Sequence, residues 1–282
     1  MGFFLGIDGG GTGCRAAVAD GSGRVLGEGQ AGPANIASDL YSARDNILRA
    51  TTQALTQAVG ARAAAGELAT LSAGLGLAGA NAAGAAEALR RALPFARMKV
   101  ETDAIAAVKG ALGGHDGIVA AIGTGSVFAS QIGGRIRQIG GWGLVLGDEG
   151  SGAWLGRALL RQAMLAADGF RPMTPLLRAT LDGHGGTGGV IAFSLGARPA
   201  DFAALAPQIL HADDPAATQL LEAATADVVR AIEVLQGGAT LPVSLIGGLG
   251  PTYAGRLAGR WTLRPAEGSA LDGALILARE AA

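Results

Sequence analysis

Asp8-Gly9-Gly10-Gly11-Thr12 is the first group of residues whose types and spacing can do chemistry. Glycines beside a hydroxyl residue let backbone N–H groups reach phosphate oxygens without side-chain obstruction, and successive N–H groups form an anion-binding concavity. Asp8 adds a carboxylate, whose natural role in a nucleotide site is to hold Mg²⁺, directly or through water, opposite the β- and γ-phosphates. A tight hairpin without any ligand accounts for the same glycines, so this loop alone leaves both readings open. A second loop, Gly123-Thr124-Gly125-Ser126, stands in the same strand-to-strand context and favours phosphate, since two such hairpins can clamp a polyphosphate. Asp103 follows a short strand-like stretch, residues 98–101, and opens a helix-like one, 104–112. A carboxylate there can reach an alcohol presented to a γ-phosphate. It can equally serve as a helix N-cap.

The elements that must position these residues follow from hydrophobic patterning. Phe3 to Ile7 is an apolar run of buried-strand length that stops at Asp8, and residues 14–20 and 24–28 read as two further strands separated by the turn Asp20-Gly21-Ser22-Gly23. The glycine loop therefore joins strand to strand. A dinucleotide-binding GxGxxG joins strand to helix, so the spacing of Gly11, Gly13 and Ala16 is met in the wrong context. Residues 38–59 carry apolar side chains at helical spacing, 68–78 are strand-like and 82–93 helix-like, an alternation that indicates a sheet covered by helices.

At Gly117 the plan restarts: the apolar run Ile118 to Ile122, the Gly-Thr-Gly loop, a strand over 127–131, a turn at Gly133-Gly134 and a strand over 135–139. Two copies of one supersecondary unit predict two related domains, 1–113 and 114–282, with the last helix a candidate to pack back on the first. Helices are expected over 151–167, 200–210, 215–235 and 269–281, a last buried strand over 241–246, and a loop-rich surface segment over 169–187.

Composition removes several classes. Hydrophobic residues make up 49% of the 282 residues and charged residues 16%, so the chain can bury a sizeable core. With 22 basic against 23 acidic residues there is no electrostatic footprint for nucleic acid or an anionic membrane. The start lacks the pattern of a secretory signal, and a cytoplasmic setting is expected. The mean hydropathy of +0.35 and the uncharged run 234–255 do not make a membrane span, because Gly237, Gly238, Thr240, Pro242 and Ser244 interrupt it. The single Cys14 excludes an intrachain disulfide and a paired-CxxC zinc site, and His115, His184 and His211 have no ligand spacing. No GxxxxGK[ST] occurs, and Ala106-Ala107-Val108-Lys109 lacks every companion motif of a protein kinase. The 48 glycines, about 17% of the chain, exceed the usual share of about 7% and point to close backbone approaches or to a coding bias.

Five motifs in order now carry a resemblance: Asp8 to Thr12; Thr102-Asp103-Ala104; Gly123 to Ser126; Gly140-Gly141-Trp142-Gly143 with Gly147-Asp148-Glu149-Gly150-Ser151; and Ile246-Gly247-Gly248-Leu249-Gly250. Together they resemble the BadF/BadG/BcrA/BcrD ATPase-type family, and within it the N-acetylglucosamine and glucosamine kinases of the actin/hexokinase superfamily. The match runs over nearly the whole chain. It implies an α/β fold of two ribonuclease-H-like lobes with ATP in the cleft between them, Mg²⁺, an amino-sugar substrate phosphorylated on a hydroxyl (O6 is expected) and a homodimer. By the same resemblance Asp8, Gly9, Gly10, Gly11 and Thr12 form one phosphate loop and Gly123, Thr124, Gly125 and Ser126 the other. Gly247 and Gly248 lie by the adenosine, Asp103 accepts the proton of the sugar hydroxyl, and Asn35, Gly141, Trp142 and Asp148 line the sugar site. Without a ligand, Trp142 reads as a core residue, Asp148 as a turn or cap, and Asn35 as a turn former. Two rival functions remain. An activator-type ATPase of the same family needs two cluster-binding cysteines per chain where this one has Cys14 alone, and a sugar or nucleotide sensor without turnover has no use for Asp103.

Overall fold

Asp8 stands one residue from the end of β1 (Phe4–Gly9), which turns back as β2 (Cys14–Ala19) in an antiparallel hairpin with Phe4 opposite Ala19 and Gly9 opposite Cys14. This computed structural model describes residues 2–282. β3 (Val25–Ala31) continues the meander, antiparallel to β2 with a bulge at Val18/Ala19. After α1 (Leu40–Val59) and α2 (Ala61–Glu67), β4 (Ser72–Leu77) pairs parallel with the other side of β1. α3 (Ala85–Ala92) leads to β5 (Arg97–Thr102), parallel to β4, and α4 (Asp103–Leu112) follows without a break. The sheet order is β3-β2-β1-β4-β5. α1 starts where Asp39 accepts the N–H of Ser42 at 3.0 Å, and it stops at Gly60, whose φ of 81° a side chain would resist.

β6 (Gly117–Ile122), β7 (Ser126–Ile132) and β8 (Arg135–Gly140) repeat the opening meander. A helical stretch follows: α5 (Gly152–Ala167), α6 (Pro175–Gly183), α7 (Thr187–Gly196), α8 (Pro199–Ala203), α9 (Ala206–Leu210) and α10 (Pro215–Gln236). β9 (Val243–Ile246) then pairs parallel with β6, giving the order β8-β7-β6-β9, the counterpart of β3-β2-β1-β4. A parallel bridge from Val243 to Leu263 stands where the first sheet has its fifth strand. α11 (Gly250–Arg256) and α12 (Ala270–Glu280) complete the chain.

Two units result. One comprises the chain up to Asp116 with residues 131–136 and 265–282, the other residues 117–130 and 137–264. In the first, alternate side chains of β1 face opposite ways: Leu5 and Ile7 join Ile47 and Leu55 of α1 and Leu89 of α3, all fully buried, while α12 packs against β1, β4 and α4. In the second, Ile118 and Ile122 of β6 meet Leu155 and Leu159 of α5 and Val228 and Ile232 of α10. Each such side chain contributes about 1.5–3 kcal/mol by leaving water. Among the described residues no helix is long and apolar enough to cross a membrane.

Three sequence expectations change. Residues 169–187 are not a surface loop: α6 lies within them, started by Thr174 and Pro175, and α7 begins at Thr187. The single helix expected over 200–210 is two short ones, α8 and α9. The uncharged run 234–255, which reads from sequence as a strand and loops, also contains most of α11.

Candidate active site

Within the first unit, Gly9 sits where a Cβ would fall 2.7 Å from Leu77 and 2.8 Å from Ala34, so only glycine lets β1 end between them. The loop closes by Gly10 N–H donating to the Gly13 carbonyl, and Ala34 N–H donates to Gly10 in turn, both at 2.9 Å. Cβ positions on Gly10 and Gly11 would meet nothing within 4 Å, and Thr12 is exposed, so the outer side of the loop is free for a ligand. Asp8 and Arg15 are direct partners in the hairpin register, and Arg15 Nη2 lies 2.5 Å from Asp8 Oδ2.

Asp103 is the first residue of α4, but the cap is Thr102, whose hydroxyl accepts the N–H of Ile105 at 3.2 Å. Asp103 Oδ1 accepts only its neighbour's N–H, from Ala104 at 2.9 Å. Asp103 is exposed, yet desolvation by its surroundings, and then the negative charge of Asp8, raise its carboxyl above the ordinary value, outweighing the backbone hydrogen bonds. Asp8 and Asp103 thus share one electrostatic field at the ends of β1 and β5.

Two cavities flank the loop over residues 9–13, loop 1. One, about 470 Å³, is lined by Asp8, Gly10, Thr12, Gly13, Arg15 and Gln30. The other, about 420 Å³, is lined by Gly11, Pro33, Asn35, Ser38, Asp39 and Asn46. Asn35 is a turn former: its Oδ1 accepts N–H groups of Ala37 at 3.0 Å and Ser38 at 3.2 Å. Its side-chain amide nitrogen has no hydrogen-bond partner among the described residues, and Asn35 lines the second cavity. A larger groove of about 830 Å³ between α10 and α11 is lined by Arg230, Arg256 and Arg260. Those cations are already engaged by Asp227, Thr225 and Glu233, and the groove holds none of the predicted residues.

In the second unit, the loop over residues 123–126, loop 2, is tied to the start of α5, with Gly152 N–H donating to the Gly123 carbonyl at 2.8 Å and Ala153 N–H to the Thr124 carbonyl at 3.1 Å. The Ser126 hydroxyl is spent on the Glu149 carbonyl at 2.8 Å, so any ligand contact from Ser126 must come through its backbone. Asp148, 7% exposed, is the one non-glycine residue with positive φ among those described, at 61°. Burial raises its carboxyl against the lowering influence of the nearby N–H groups of Ser126 and Gly143, and it lies against Gly125, where a Cβ would stand 2.9 Å from Oδ2. Asp148 therefore couples loop 2 to the 140–147 loop. The core reading of Trp142 fails, because it is 69% exposed beside the exposed Gly141. Gly247, φ 86°, lets the end of β9 approach the carbonyl of Ile122, which a Cβ would meet at 2.4 Å, whereas Gly248 is open.

Among the described residues no three His, Cys, Asp or Glu side chains converge on a metal position. Asp8 nevertheless offers a hard oxygen donor in the cavity beside loop 1. Mg²⁺ takes one or two carboxylates and completes its shell with substrate phosphates and water, so this donor fits it.

Arg15 and Thr102 were missed from sequence. A strand pairing drawn back from the loop places Arg15 opposite Asp8, and threonine just before an acidic helix start is a cap signal.

A model of the BadF/BadG/BcrA/BcrD ATPase family matches residues 5–251. Glucosamine kinase GspK of Vibrio cholerae is 33% identical over 286 residues, covering 99% of this chain and 96% of that protein. The solved structure of a candidate N-acetylglucosamine kinase from Chromobacterium violaceum superposes with a TM-score of 0.84 at 33% identity, covering 99% of both chains. A ROK family glucokinase from Streptomyces griseus, solved with glucose and AMPPNP, shares the fold at a TM-score of 0.56 and 19% identity, over 99% of each chain.

Proposed function

The chain belongs to the BadF/BadG/BcrA/BcrD ATPase family, and on that premise we propose that it is an ATP-dependent kinase of an amino sugar, glucosamine or N-acetylglucosamine. Asp103 is the base. It takes the proton of the sugar hydroxyl, O6 in our reading, as that oxygen bonds to the γ-phosphorus and the bond to the ADP oxygen breaks. A raised carboxyl pKa suits this task, since a base titrating nearer the working pH is the stronger acceptor. Asp8 would hold Mg²⁺, which when bound neutralises phosphate charge. Backbone N–H groups of Gly11 and Thr12 face the phosphates from the loop that the Gly10 N–H closes, Arg15 adds a cation at the same cavity, and Asn35 orients sugar hydroxyls from the neighbouring one. On the second unit we assign Gly123 to Ser126 to the nucleotide phosphates, Gly247 and Gly248 to the adenosine, and Gly141, Trp142 and Asp148 to the sugar side. We also assign the enzyme a dimeric state and a cytoplasmic setting.

The observation that carries this reading is the division of labour between Thr102 and Asp103: capping is done by the hydroxyl, so the carboxylate next to Asp8 is left for chemistry. Asp103→Asn is expected to lower kcat about 10²- to 10⁴-fold with the KM values of ATP and sugar largely kept. ADP release measured across a panel of sugars checks both base and substrate. Near-normal turnover in a folded variant overturns the base assignment, and a panel in which no amino sugar is preferred overturns the substrate.

A further inference from the structure

Lys99 and Lys109 are the only lysines in the chain, and both end on one carboxylate. Lys99 Nζ lies 2.7 Å from Glu280 Oε2 and Lys109 Nζ 2.6 Å from Oε1. The Lys109 side chain is 12% exposed. Burial pushes the Glu280 carboxyl up, but the hydrogen bonds and charges of the two lysines outweigh it and hold the group below the ordinary carboxylate range. The three residues sit on β5, α4 and α12.

Backbone packing reinforces the same junction. A Cβ on Gly110 of α4 would stand 1.8 Å from the Ser269 carbonyl, and one on Gly273 of α12 would stand 1.8 Å from the Ala106 carbonyl. The two helices therefore touch backbone to backbone. On its other side α4 meets β4 as closely, since a Cβ on Gly76 would lie 2.3 Å from the Ala106 Cβ. α12 lies beside α4 on the same face of the sheet, since a Cβ on Gly74 would stand 2.1 Å from the Ala274 carbonyl, so α4 is held by the sheet below and by α12 alongside, and the Lys109–Glu280 contact adds a polar tie between the two helices. The first residue of α4 is Asp103.

We infer that the last helix is a positioning element for the catalytic carboxylate: through Glu280 and Lys109, α12 sets where α4 presents Asp103. The inference rests on Asp103 being the base. It also predicts an asymmetry between two lysines that share one partner. Lys109 acts on α4 itself, whereas Lys99 lies on β5, which its ladder to β4 holds from Arg97 to Thr102 independently. Catalysis is sensitive to such placement, with a displacement of about 1 Å able to cost about 10² in rate.

The experiment compares Lys109→Met, Lys99→Met and the conservative Lys109→Arg, reading kcat, both KM values, the pH profile of kcat and the thermal midpoint. Lys109→Met is expected to lower kcat about 10-fold or more, with KM values within about two-fold, and to move the acid limb of the profile. Lys99→Met should leave kcat and the profile unchanged, and Lys109→Arg should restore most of the rate. Equal behaviour of the two methionine variants, or a Lys109→Met effect confined to KM, overturns the inference. If Lys109→Met does not fold, Glu280→Gln, which keeps a hydrogen-bonding group, takes its place: loss of kcat alone supports positioning and an unchanged kcat refutes it. Asp103→Asn run in parallel separates the two claims. An active Asp103→Asn removes the base itself, whereas an inactive Asp103→Asn beside a fast Lys109→Met removes only the positioning role.

Discussion

Asp8 and Arg15 face one another across the β1–β2 hairpin as register partners, with Nη2 2.5 Å from Oδ2. The guanidinium offsets the carboxylate whose charge helps to raise Asp103.

Removing that offset should strengthen the influence of Asp8. A base works ionised, so activity falls as pH drops through its pKa, and a higher pKa moves the acid limb to higher pH. Arg15→Gln is expected to shift the limb of the kcat profile in that direction, while costing less than about 1 kcal/mol of stability because Arg15 is 54% exposed. A limb that stays in place would separate Asp8 from Asp103 in the working enzyme.

Asp103→Asn should stabilise the protein that it inactivates. Desolvation and Asp8 raise the folded-state pKa of Asp103 above the unfolded one, so the ionised group costs stability. That cost is present above the folded pKa and is gone once pH falls below the unfolded value. The variant is expected to melt higher than the parent near neutral pH and level with it in acid, by calorimetry at the two pH values. Thr102→Ala should behave oppositely, losing about 1 kcal/mol at both, because its cap is uncharged.

Asp148 combines positive φ with a buried carboxylate. Asp148→Ala would strain the backbone by about 1 kcal/mol and remove the carboxylate packed against Gly125. A loss of about 1–2 kcal/mol in urea unfolding is expected. Asp148→Asn, which tolerates the conformation and keeps an acceptor oxygen, should lose less than half as much.

Two glycines test packing against composition. A Cβ on Gly29 of β3 would fall 2.0 Å from the Ala50 carbonyl of α1, so Gly29→Ala must part strand and helix and is expected to cost more than about 3 kcal/mol. Gly66 in α2 has nothing within 4 Å, and Gly66→Ala should gain about 0.4–1 kcal/mol. Circular dichroism during thermal unfolding reads both signs.

The repeated plan was legible because each copy opens with a buried apolar run cut off at a glycine loop, a pattern that needs no partner to be seen. So was the placement of Asp103 at a strand-to-helix junction. The helices α6 and α7 were not, because Gly185, Gly186, Gly188 and Gly189 read as loop while burial of Leu177, Leu181 and Val190 against the helical layer decides otherwise. Exposure of Trp142 was not legible either: the sequence left a sugar-lining residue and a core tryptophan both open, and the path of its loop, which keeps it in water, removes the core reading. The glycine excess, ambiguous in composition, is partly explained by Gly29, Gly110 and Gly273, where one backbone runs against another.

Cys14 opens β2 at 1% exposure, and burial, helped by Asp8, pushes its thiol up to about 12. At pH 7 only about one molecule in 10⁵ carries the reactive thiolate. The folded chain should therefore react slowly with alkylating reagents, and labelling should quicken when the strand beside the Asp8 loop comes open. Cys14 also lines the cavity beside that loop, so a ligand seated there slows labelling both by stabilising the closed unit and by covering the thiol, and a single native thiol reports occupancy with no turnover at all.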